Sequence, residues 1–164
     1  MSAERGFTLI ETLIVVVVIG VVLATGMPAF NNYKHTILLK EGRQLLLSDL
    51  RMARQLAVTR RAPVIVRYGT PPTTTDITTY TIHVDKNANG VVDGADRVIT
   101  RTMPGGNSSR VKISQASLTP TDSVIFDISG ILRPGTGGGT LIIRNARGRR
   151  DTLAVSTAGI AYRP

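Results

Sequence analysis

RGFTLIETLIVVVVIGVVLATGMPAF, from Arg5 to Phe30, is apolar from Phe7 to Met27 apart from small residues, threonines and one carboxylate, Glu11. At helical rise the run is long enough to cross the roughly 30 Å hydrocarbon core of a bilayer. A charge at membrane depth is unfavourable by about 2.5 kcal/mol or more, so Glu11 calls for a partner or a function. A cleaved secretory signal is one alternative, with Ala24-Thr25-Gly26 as a small-residue cleavage site. Against it, the apolar stretch is long and the leader sets only Arg5 against Glu4. A plain membrane anchor is the other, and it leaves Glu11 and the Arg5-Gly6-Phe7 junction without a role.

The rest of the chain has room for one core, since 164 residues suit a single domain of ordinary size. Its 16 glycines, many Thr and Ser, absent Trp and few aromatics point to a turn-rich β domain. Cys is absent, which excludes disulfides, thiol catalysis and cysteine-built zinc sites. The net charge of +9 is uneven. Up to Glu41, the bases Arg5, Lys34 and Lys40 balance the acids Glu4, Glu11 and Glu41, so the excess lies beyond. That excess is mostly Arg, which suits phosphate or carboxylate partners but also serves solubility.

Past Pro28, Leu39, Leu46, Leu50, Ala53 and Ala57 recur at helical spacing beside polar Arg43, Asp49 and Arg54, with no strong breaker before Pro63. This predicts one long helix to about Arg61. Gly20, Gly26 and Pro28 weaken it and predict a kink or local unwinding where it leaves lipid. Strand-like runs follow at APVIVRY, TTYTIHV, RVITRT, RVKIS, SVIFDIS, GTLIIRN and DTLAVST, separated by turn residues. The expected fold is therefore α+β, a long N-terminal helix packed on an antiparallel sheet. ARGRRD is expected as a hairpin tip and PGTGGGT as a mobile loop. Neither has the Lys and Ser or Thr that a phosphate-cradling loop needs after its last Gly, so nucleotide binding is excluded.

DKNANGVVDGAD, residues 85–96, has calcium-loop spacing. Asp85, Asn87 and Asn89 offer oxygens at alternate positions, Gly90 a sharp turn, Val91 a carbonyl, Asp93 a ligand often used through water and Asp96 the last ligand. Asp replaces the usual bidentate Glu there, and strands flank the loop, so a modest Ca2+ hairpin is expected at best; an Asn-Gly turn with solvated acids is the alternative. The histidines, His35 on the helix and His83 in a strand, form no recognisable catalytic arrangement and are expected as a solvated and an ordinary strand residue. An enzyme is not expected.

The run GFTLIE, the apolar stretch and Pro28 together resemble the prepilin signature of type IV pilins and type II secretion pseudopilins. The resemblance implies cleavage between Gly6 and Phe7 by prepilin peptidase, methylation of the Phe7 amine and extraction of the helix into a filament. Glu11 then lies one turn above the new terminus, roughly 6 Å along the axis. In staggered parallel helices it could pair with the Phe7 amine of a neighbour, turning a costly charge into a low-dielectric ion pair; the alternative is a Glu facing lipid headgroups. Thr12 departs from the Leu of many members, and its hydroxyl can bond back to a helix carbonyl.

Extended to the chain end, the layout resembles the GspH/FimT family of minor pilins and H-type pseudopilins. The matching features are LLLSDLRMARQLAVTRRAPV, FDISGILRPG, and the closing strands TLIIRN and DTLAVSTAG. The resemblance implies a leader at 1–6, a membrane or filament-core helix half at 7–28, an amphipathic half at 29–61 and a β-rich domain at 62–164. It also implies inner-membrane insertion with the domain periplasmic or extracellular, and filament subunits as partners. Members tied to DNA uptake carry a GRxR motif after the last strand, where this chain has Gly159-Ile160-Ala161-Tyr162. Both motif arginines are missing, and Arg147, Arg149, Arg150 and Arg163 remain as the candidates for phosphate contact. DNA capture is thus the rival to a structural role.

Overall fold

Helix α1 spans Leu9–Arg60 in a computed structural model that describes residues 7–68, 77–90, 93–94, 96–107, 110–119, 123–135 and 137–164. The chain divides into two units, Met1–Lys34 and His35–Pro164, and α1 contributes to both. Thr8 starts the helix. Its hydroxyl accepts the Glu11 amide at 3.3 Å, which is an N-cap bond to the third helical residue. Arg61 ends it with φ 50°, the left-handed turn that closes many helices, ahead of a proline that cannot continue them.

In the second unit the stripe of Leu39, Leu46, Leu50, Ala53 and Ala57 is buried, at most 8% exposed. It packs on two antiparallel sheets, where the sequence predicts one. The first holds β1 Val64–Arg67, β2 Thr79–Val84, β3 Arg97–Thr102 and β5 Ser123–Phe126 in the order β3-β2-β1-β5. The second holds β4 Lys112–Thr119, β6 Gly137–Arg144, β7 Arg150–Val155 and β8 Ala161–Tyr162 in the order β4-β6-β7-β8. An Ile77↔Ile113 bridge links the segments before β2 and within β4. Val64, Val66, Ile82 and Phe126 from one sheet join Ile113, Leu141, Ile143 and Leu153 from the other in a single core beneath the helix.

Two further expectations change. PGTGGGT contributes Gly137, Gly138 and Gly139 to β6, with Gly139 paired to Val155. The cause is close backbone approach, because a Cβ on Gly138 would stand 2.4 Å from the Val155 carbonyl oxygen. Only glycine fits there, so a composition that looks like loop is strand. Asp49, expected on the polar side of the helix, is 4% exposed and faces the first sheet.

Candidate assembly site

Among the described residues of the first unit, the helix leaves every side chain exposed. Phe7 is 78% exposed, and Leu9, Ile10, Leu13, Val16 and Val17 are likewise open. A helix apolar on every side belongs in a bilayer or among other helices, and α1 is long and apolar enough here to cross a membrane. Between Phe7 and Lys34 the only carboxylate is Glu11, exposed on the first turn. Thr12 bonds back through its hydroxyl to the Thr8 carbonyl at 3.3 Å, as its chemistry predicts. Thr8 is a cap that the anomalous Glu11 masks in the sequence, although Thr8 to Glu11 form T-x-x-E, a helix-start pattern in its own right. Gly6 lies outside the described residues.

Within residues 85–90 the chain turns at Gly90, where the calcium-loop spacing places its sharp turn. Asp85 is fully buried; its carboxylate accepts the Gly90 amide at 2.7 Å and the Asn89 amide at 3.3 Å, and Gly90 turns with φ 75°. Asn87 and Asn89 both donate side-chain amides to Asp93 Oδ2, at 2.8 and 2.9 Å. Asp96 accepts the main-chain amides of Lys86 and Asp93. The acids are thus engaged with donors of the loop itself. Among the described residues no three His, Asp or Glu side chains converge as a metal-holding group, and Val91 lies outside them.

Arg147, Arg149 and Arg150 come together at the turn between β6 and β7. Asn145, buried, organises that turn: its Oδ1 accepts the amides of Arg147 and Arg149, and its Nδ2 donates to the His35 carbonyl at 3.0 Å. The Arg149 guanidinium donates to Thr36 Oγ1, and Arg163 Nε stands 3.5 Å from Asp151. Asp151 also receives Arg43 at 2.8 Å, tying the helix to β7.

His35 is half-buried with its Nδ1 shielded from solvent, which corrects the expectation of a solvated residue. His83 sits in β2, 5% exposed, with Nε2 2.7 Å from Thr81 Oγ1. Burial and then the Arg67 charge push its pKa below the ordinary value, against a smaller upward pull from Asp96.

Residues 43–159 match the family described as type II transport protein GspH, and residues 1–27 match the prokaryotic N-terminal methylation motif. The fold is similar to that of the type IV minor pilin FimU of Pseudomonas aeruginosa PAO1. One crystal form gives TM-score 0.57 at 17% identity, covering 80% of this chain and 92% of that one. A second form gives TM-score 0.52 at 20% identity, covering 77% and 92%.

Proposed function

This chain belongs to the GspH family, and we propose on that premise that it is a minor pilin or pseudopilin, a structural subunit that enters or initiates a type II secretion pseudopilus or type IV pilus. The carrying observation is the exposed apolar half of α1, with Glu11 as its single carboxylate, placed directly after the methylation motif. Before assembly this half holds the chain in the inner membrane, with the sheets on the periplasmic or outer side. Prepilin peptidase cuts after Gly6, and Phe7 becomes the methylated terminus. In the filament, the apolar half packs among the helices of neighbouring subunits, and Glu11 meets the Phe7 amine of one of them.

DNA capture is the weaker reading. Arg149 is engaged with Thr36 and Arg163 with Asp151, so these guanidiniums are already held within the chain.

Processing and assembly separate in two variants. Gly6→Val leaves an uncut precursor in the membrane, whereas Glu11→Ala is cut normally and is missing from sheared filaments. Incorporation of Glu11→Ala at the wild-type level would overturn the ion-pair account.

A further inference from the structure

At the end of α1 the second unit carries a groove of about 410 Å³, lined by Met52, Leu56, Ala62, Val84 and Ile99 and by the cations Arg60, Arg61, Lys86 and Arg97. The volume lies within the roughly 300–1,000 Å³ of ordinary ligand pockets. Met52, Leu56 and Ile99 are half-buried against the core, so the aliphatic floor is partly open to solvent. All four cations are exposed, and among the described residues no acid lines the groove. The neighbouring Asp85 and Asp96 direct their oxygens to loop amides. Arg61 occupies the left-handed position after the helix with φ 50°, where glycine is the usual residue. The chain therefore keeps a positive side chain on the rim at a conformational cost.

Part of this charge answers the helix C-terminus, whose carbonyls favour a nearby cation. Four cations around one apolar floor exceed that need. We infer that the groove docks an acidic amphipathic segment of a partner protein, apolar side chains on Leu56 and Ile99 and carboxylates among Arg60, Arg61, Lys86 and Arg97. Charge complementarity selects this occupant. A second copy is disfavoured because everything beyond Glu41 carries the chain's whole excess of +9. Nucleic acid is disfavoured because, among the described residues, no aromatic one lines the groove to stack a base. That the partner is another filament subunit rests on the function proposed above; the groove's preference for acidic amphipathic segments does not.

The test uses the full chain in zwitterionic nanodiscs and a fluorescent helical peptide of alternating Leu and Glu faces, followed by anisotropy. The peptide is expected to bind. Its Glu→Gln counterpart should bind at least about tenfold more weakly, and so should the Arg60→Gln/Arg61→Gln/Lys86→Gln/Arg97→Gln variant. Those four side chains are exposed, so the variant should melt with the wild type; Leu56→Glu gives an independent floor variant with the same expected loss. Oligodeoxythymidine and phosphatidylglycerol vesicles should fail to displace the peptide. Equal binding by the rim variant, or displacement by either competitor, overturns the inference. Glu11→Ala should bind the peptide like wild type, so failure of the groove and failure of the filament proposal are distinguishable.

Discussion

Tyr80 donates its hydroxyl to Asp49 Oδ2 at 2.6 Å, joining β2 to the buried face of α1. Arg101 Nε, from the edge strand β3, stands 3.2 Å from the same oxygen. A carboxylate this deep is tolerated only with such partners, since burying an unpaired charge is costly. Asp49→Ala leaves the Tyr80 hydroxyl and Arg101 without it and should lower stability by about 2–3 kcal/mol, whereas Tyr80→Phe should cost about 1 kcal/mol. Chemical denaturation of the two single variants and the double variant measures the coupling. Additive losses would mean that the bond contributes nothing to the fold.

The same cluster predicts alkaline sensitivity. Tyr68 is fully buried with its ring 5.8 Å from that of Tyr80. Burial first, and then the Asp49 charge, raise the Tyr68 pKa; burial, the hydrogen bond to Asp49 and that charge raise the Tyr80 pKa. A folded pKa above the unfolded value of about 10 means that the folded chain holds these protons more tightly. Their contribution is present below pH about 10 and is lost as pH rises beyond it. Ultraviolet difference titration should show Tyr68 and Tyr80 ionising only on unfolding. Ionisation of Tyr68 and Tyr80 at the ordinary value in the folded chain would contradict this burial.

The helix was legible because its apolar stripe recurs at one period over several turns, from Leu39 to Ala57, and the strand runs because each alternates or is β-branched. Asp49 was not legible. A lone acid in a helical pattern reads as solvent-facing, and its partners Tyr80 and Arg101 lie far along the chain. Gly137 to Gly139 were misread because glycine composition marks loops, while the approach of β7's backbone at Val155 is a tertiary fact. Strand β8, two residues long, is too short to show any period. At the N-terminus, Glu11 was recognised as an anomaly in the apolar run, yet the cap formed by Thr8 was hidden inside the same motif. Of the groove, nothing was legible, since Leu56, Lys86 and Ile99 meet only through folding.

Asp85 offers a test of what holds the 85–96 hairpin. Its carboxylate accepts two main-chain amides from a fully buried position, so Asp85→Ala removes the acceptor of the Gly90 amide, while the Asn89 amide keeps Asn87 Oδ1 at 3.3 Å. A loss of about 1–3 kcal/mol is expected, and it should appear equally in chelator and in millimolar calcium. A loss confined to calcium-containing buffer would show that a bound cation, and not the hydrogen bonds, organises the turn.

Gly159 is where family motif and packing meet. It turns with φ 73°, and a Cβ there would stand 2.8 Å from the Gly130 carbonyl oxygen and 3.1 Å from Phe126 Cε1. The left-handed conformation alone costs a non-glycine residue about 1–2 kcal/mol, and overpacking against the Phe126 ring and the Gly130 backbone typically adds about 1–3 kcal/mol. Gly159→Ala should therefore lower the melting temperature, whereas Ile160→Ala, at a half-exposed neighbour, should change it little. This glycine occupies the first position of the GRxR pattern whose arginines are missing here, and its role follows from packing without any ligand. Installing the arginines as Ile160→Arg with Tyr162→Arg should accordingly leave the fold intact and strengthen binding to duplex DNA at low salt, because it adds two cations for phosphate contact where Ile160 lies beside Arg51 and Arg54. Unchanged affinity in that double variant would show that the charges at this position do not reach the phosphates.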